Sequence, residues 1–128
     1  MIKAYLVGIS TQYEGEGIEV RFRIFDGDEL VSKKNVMLGY KKPALVGHVA
    51  MQTLLKQLEK HNDREIVIYI NDGALYETIN GTSGTKNAEL LEKAKETRRE
   101  LRKFVNLEII NISGDHTKIN EWNEILKP

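Results

Sequence analysis

From Ile18 to Ile24 apolar and charged residues alternate strictly, with Glu19, Arg21 and Arg23 between Ile18, Val20, Phe22 and Ile24. A period of two puts one set on a buried face and the other on a wet face of a β-strand. The segment Ile2 to Thr11 also reads as a strand. It reaches the second through Gln12-Tyr-Glu-Gly-Glu-Gly17, whose glycines admit a positive φ. Asp26-Gly27 is tight-hairpin chemistry, and Leu30 to Tyr40 returns as a third strand. Connections this short make the three an antiparallel meander.

The period then changes. Gly47, Met51, Leu54, Leu55 and Leu58 recur at steps of three and four, which predicts a helix with one face on the sheet. Pro43 suits its first turn, and it ends near His61-Asn62-Asp63. Ile66 to Ile70 is an unbroken apolar, β-branched run, as expected of a central strand covered on both faces. A short helical turn is expected from Ala74 to Ile79 and a loop from Asn80 to Gly84. Lys86 to Phe104 is the next helix, with Leu90, Ala94, Leu101 and Phe104 inward and a Glu89–Lys93 pair outward. Val105 to Ile112 is the fifth strand, and Ile119, Trp122, Ile125 and Leu126 give a final short helix its apolar face. The order β-β-β-α-β-α-β-α is that of an α/β fold. It predicts a five-stranded mixed sheet, a three-strand antiparallel meander plus two parallel strands, with three helices and right-handed crossovers. A ligand site in such a sheet lies at the carboxyl ends of the parallel strands, here near Ser10, Asp72 and Ser113 to Asp115.

Composition narrows the chemistry. The 128 residues suit one domain spanning 1–128, and no linker or repeat divides them. There is no cysteine, so disulfides, thiolate metal sites and a cysteine nucleophile are excluded, and a cytoplasmic location is expected. No apolar run is long enough to span a bilayer and no signal-peptide pattern opens the chain, so no membrane partner is expected. Nineteen basic residues balance nineteen acidic ones, so any surface that binds nucleic acid must be a local patch. One such stretch runs along the helix before the fifth strand, where Arg98, Arg99 and Arg102 cluster.

The element order over essentially the whole chain, together with Ile70-Asn-Asp-Gly-Ala-Leu-Tyr-Glu-Thr-Ile-Asn-Gly81, resembles the ribonuclease H-like superfamily. The resemblance implies a metal-dependent nuclease site in which about four carboxylates hold two magnesium or manganese ions. Such a pair activates water and neutralises the leaving oxygen of a phosphodiester. It places Asp72 at the family's fourth-strand aspartate. The first-strand aspartate falls near Gly8 to Ser10, and no acid occurs from Met1 to Gln12. The first-helix glutamate falls at Gly47 or His48, and the last-helix aspartate at Asn120 or Glu121. Asp115 and His116 lie in the preceding loop, where the family carries a mobile histidine or acid.

Catalytic candidates are therefore Asp72, Glu121, Asp115 and His116, with Asp72 and Glu121 as metal ligands. Ser10, Thr11, Asn71, Arg98, Arg99 and Arg102 are candidates for nucleic-acid contact, the hydroxyls and amide through hydrogen bonds and the arginines through phosphate. Asp72 has a second explanation as a helix cap, His48 as a packed histidine and Trp122 as a core anchor. Two functions follow. One is a catalytically degenerate module that binds RNA, an RNA–DNA hybrid or a protein partner. The other is a magnesium- or manganese-dependent endoribonuclease cutting RNA in such hybrids at a non-standard site centred on Asp72. A purely structural role ranks behind both, because the outer side of the meander, with Glu19, Arg21 and Arg23, reads as polar.

Overall fold

The computed structural model describes residues 1–10 and 15–128. Among them the chain forms strands β1 (Ile2–Ser10), β2 (Ile18–Asp26), β3 (Glu29–Leu38), β4 (Glu65–Ile70) and β5 (Asn106–Asn111). The helices are α1 (Val46–Leu58), α2 (Gly73–Asn80), α3 (Ala88–Leu101) and α4 (His116–Ile125). The strand order is β3-β2-β1-β4-β5. β1, β2 and β3 pair antiparallel, while β4 joins β1 and β5 joins β4 in parallel. This is the ribonuclease H-like architecture. No helix among the described residues is long and apolar enough to cross a membrane.

The alternation in β1 and β2 divides the molecule into two cores. Ile2, Ala4, Leu6, Ile18, Val20, Phe22 and Ile24 face α1, whose Met51, Leu54, Leu55 and Leu58 are fully buried against them. The β4 residues Ile66, Ile68 and Ile70 join the same core. On the opposite face Ile112, Trp122 and Leu126 form a smaller cluster under α4, with Tyr5, Val7, Tyr69 and Ile110 packed at its margin. The continuous apolar run of β4 is explained by this sandwiching.

Among the described residues there are four α-helices rather than the three expected. The segment after Asp72 is a full two-turn helix, not a single turn, because both of its ends are capped. Asp72 accepts from the backbone N–H of Leu75, and Gly81 at φ 73° donates to the carbonyls of Glu77 and Thr78. Leu75 and Ile79 then bury one face.

Two details of packing also depart from expectation. Glu89 pairs with Lys42 and Lys93 with Glu96, so the Glu89–Lys93 pair across one helical turn is not made. Arg23 is not on a wet face: its side chain is fully buried, and its guanidinium donates to the carbonyls of Phe22, Lys34 and Lys127 at 3.0, 2.9 and 2.8 Å. Burial, helped by the positive charge of Arg21, pushes its pKa down. Arg23 thereby ties β3 and the segment after α4 to the strand between them.

Candidate functional site at the strand tips

β1 and β4 run side by side in parallel, with Tyr5 opposite Tyr69. Continued towards the carboxyl ends, that register sets Gly8 beside Asp72. Both residues line a cavity of about 60 Å³ together with Gly47, Asn71, Leu75 and Trp122. A second cavity of about 120 Å³ adjoins it, with Asp72, Gly47, His48 and Thr78 in its wall. Asp72 is the one carboxylate lining either cavity among the described residues.

The Asp72 side chain is divided between two tasks. Oδ1 accepts the Leu75 N–H at 3.0 Å and caps α2. Oδ2 is turned towards α1, where a Cβ built on Gly47 would stand only 2.8 Å from it. A side chain at position 47 would therefore displace the carboxylate. At position 8 a Cβ would meet Val46 Cγ1 at 2.9 Å and Ala50 Cβ at 3.1 Å. α1 has closed onto the tip of β1, and glycine at both positions permits the approach.

His48, one residue along α1, is fully buried. Its Nε2 lies 2.7 Å from Thr78 Oγ1 on α2 and its Nδ1 2.8 Å from Thr97 Oγ1 on α3. Burial lowers its pKa to about 4, and Arg98 and Lys93 push the same way against the opposing charge of Asp72. A neutral imidazole clamped between two hydroxyls pins three helices together. It is a packed histidine and offers no free ring nitrogen to a ligand.

The remaining candidates are dispersed. Asp115 caps α4, its Oδ1 accepting the Lys118 N–H at 3.1 Å. His116 is exposed at the first position of that helix. Asn71 accepts from Ser113 Oγ at 2.9 Å, and Asn111 Oδ1 accepts from the Asp72 N–H and from Ser113, so a polar network knits the ends of β4 and β5. Glu121 lines a separate cavity with Tyr5 and Tyr69, whereas its neighbour Trp122 lines that of Asp72. Consecutive helical side chains point about 100° apart, which accounts for the split. Ser10 ends β1. Thr11, with Tyr13 and Glu14 of the first loop, lies outside the described residues. Arg98, Arg99 and Arg102 do converge, and with Lys95 they line a surface cleft of about 350 Å³. Arg98 also donates to the Thr78 carbonyl at 2.8 Å, fixing the cleft to α2.

A magnesium or manganese pair needs several convergent oxygen ligands. No group of three His, Asp or Glu side chains able to hold a metal gathers among the described residues. Gly8 and Gly47, which lie in the stretches the resemblance assigns to the first-strand and first-helix acids, have their Cβ space already filled. These residues do not fit a two-metal site.

The cap role of Asp72 has a measurable consequence. Asp72→Ala is expected to cost about 1 kcal/mol of stability, whereas Asp72→Asn, an equally good cap, should cost a few tenths at most. Urea unfolding of the two variants separates them. Equal losses would mean that the cap contributes little.

No protein-family model matches the chain, and no curated protein matches it. Solved structures do. Ribonuclease H1 from the halophilic archaeon Halobacterium salinarum superposes with a TM-score of 0.79 at 17% identity, over 98% of this chain and 92% of that one. A ribonuclease H1 isolated from compost, solved in complex with an RNA/DNA hybrid, gives 0.74 at 18% identity, over 98% and 96%. The amino-terminal ribonuclease H domain of a Mycobacterium tuberculosis protein gives 0.71 at 13%, over 98% and 94%. At these identities the likeness is one of fold.

Proposed function

We propose that this chain is a single ribonuclease H-like domain that binds nucleic acid, an RNA–DNA hybrid or RNA, without two-metal hydrolysis. The observation that carries the binding half is the α3 cleft, in which Lys95, Arg98, Arg99 and Arg102 stand together with no carboxylate in the lining. On a chain with no net charge such a concentration of cations is a local phosphate-binding feature. Guanidinium groups match phosphate oxygens in bidentate geometry, and Arg98 is already held in place by α2. The fold likeness to a ribonuclease H1 complexed with a hybrid supports the same class of ligand.

The loss of hydrolysis is supported by the strand tips. Of the four positions the resemblance assigns to metal-binding acids, Asp72 keeps its carboxylate and spends one oxygen as a cap, while neither the stretch from Gly8 to Ser10 nor Gly47 or His48 carries one. Glu121, the remaining candidate, lines a different cavity.

The test is a labelled RNA–DNA hybrid at low salt, with magnesium and separately with manganese. Binding without cleavage is expected, with a logarithmic salt dependence whose slope falls by roughly two in an Arg99→Ala/Arg102→Ala double variant, about one unit for each phosphate no longer neutralised. Cleavage that disappears in Asp72→Asn would overturn the reading in favour of a rebuilt metal-dependent endoribonuclease site. Failure to bind hybrid or RNA would remove the nucleic-acid role and leave a protein partner.

A further inference from the structure

The sheet face turned away from α1 is only partly covered. α4 closes one end with Trp122 and Leu126, leaving Tyr5, Tyr69 and Ile110 half-buried. In the register Tyr5 lies opposite Tyr69, and Tyr69 opposite Ile110, so the three form a row across β1, β4 and β5. The two tyrosine rings stack, with centroids 5.0 Å apart and planes 18° apart, and Phe25 meets Tyr5 edge-on at 5.8 Å. Against this row, under α4, lies a cavity of about 190 Å³ whose charged lining residues are Lys3, Lys118 and Glu121. It shares no lining residue with either cavity at Asp72.

Each feature narrows the ligand. A cavity of roughly 150 Å³ admits benzene, so this one suits a single six-membered ring better than a fused bicycle. Aromatic and aliphatic walls favour a planar π-face. Two ammonium groups favour an attached anion, and a phosphate oxygen suits them. The carboxylate of Glu121 can only accept, so it favours an exocyclic amino group over the N3–H of uracil, which lies between two carbonyl oxygens that repel a carboxylate. Its charge acts directly on this wall: burial first, then Glu121, then Tyr69 push the Tyr5 hydroxyl pKa up, which keeps that hydroxyl neutral. Among nucleobases, the single ring with an exocyclic amino donor is cytosine, and carboxylates accept from its N4.

We propose that this cavity is a second site, which takes one unstacked cytosine nucleotide. The base lies against Tyr69 and Ile110, Glu121 accepts from N4, and Lys3 and Lys118 face the phosphate. Stacking on sheet-borne aromatics is how unpaired bases are held in general. The site does not depend on the α3 cleft or on hybrid binding.

The experiment is an NMR titration of the full chain with cytidine, uridine and adenosine 5′-monophosphates, following the Tyr5 and Tyr69 ring signals. Cytidine monophosphate is expected to saturate, with uridine monophosphate at least tenfold weaker and adenosine monophosphate weaker still. Glu121→Ala, at an exposed position, should weaken the cytidine nucleotide about tenfold and leave the uridine nucleotide unchanged. Tyr69→Leu should lessen both. A single-stranded oligocytidylate that binds more tightly than the mononucleotide would assign the site to a strand, and equal affinity would assign it to the free nucleotide. Indifference among the three bases, a Glu121→Ala variant that binds normally, or no saturable shift would each overturn the proposal.

Discussion

Lowering the pH from 7 to 4 is expected to remove about 3 kcal/mol of stability through His48 alone. The folded state holds this histidine near a pKa of about 4, against an ordinary value of 6.5. Between those values the unfolded chain takes up a proton that the native state refuses, so stability rises with pH across that window. The contribution is fully present above about 6.5 and is lost as pH falls towards 4. A shift of this size corresponds to roughly 1.4 kcal/mol per pKa unit. The cause is structural: the ring is fully buried between Thr78 and Thr97, with Arg98 and Lys93 near enough to oppose a positive charge and Asp72 only partly offsetting them. Asp26, Glu19 and Glu96 also have lowered pKa values, but they are carboxylates and act at the acid end of the range. Urea midpoints at pH 7, 5.5 and 4.5 read the effect directly. His48→Gln, which cannot titrate, should flatten the dependence above pH 4.5. The same slope in the variant would trace the acid lability to other groups.

The second large effect concerns the missing acid of β1. Gly8→Asp puts a carboxylate back in the stretch from Gly8 to Ser10 that the family resemblance marks, beside Asp72, yet it is expected to restore no hydrolysis and to destabilise the fold. The new Cβ would come within 2.9 Å of Val46 Cγ1 and 3.1 Å of Ala50 Cβ, so α1 must retreat from β1. Overpacking of this kind costs about 1–3 kcal/mol. Gly8→Ala isolates the steric part, and any further loss in Gly8→Asp belongs to the charge. Thermal unfolding and hybrid cleavage in manganese would be measured together. Cleavage gained with stability intact would show that the strand tips are one side chain short of a working centre, and would overturn the steric account of Gly8.

Much of the fold could be read along the chain because local periodicity carries it. The alternation of Ile18 to Ile24, the helical stripe from Gly47 to Leu58 and the unbroken run from Ile66 to Ile70 each describe how one element meets its neighbours. Hence the element order, the antiparallel meander and the parallel pairing were legible, and the resemblance to the ribonuclease H-like superfamily supplied the rest of the architecture. α2 was under-read because its stability comes from the Asp72 and Gly81 caps more than from its length. Arg23 was misplaced because alternation assigns a face of the strand. It cannot say whether that face is later covered, and here the chain after α4 folds back over it and accepts from its guanidinium through the Lys127 carbonyl.

The candidate site was legible as a list of residues and not as an arrangement. That acids are missing before Gln12 follows from the sequence alone. Which remaining groups meet is settled by angles between elements that share no local signal. A rotation of one residue along α4 sends Trp122 to the Asp72 cavity and Glu121 to the tyrosine row. The depth of α1 against β1 turns Gly8 and Gly47 from ordinary glycines into points of closure. The sequence by itself therefore determined most of the secondary elements, their antiparallel and parallel pairing and the absence of acids before Gln12, since these depend on residue type and spacing. Tertiary structure alone decided that His48 is an interior clamp and that a second cavity opens under α4, because each depends on distances between residues far apart in the chain.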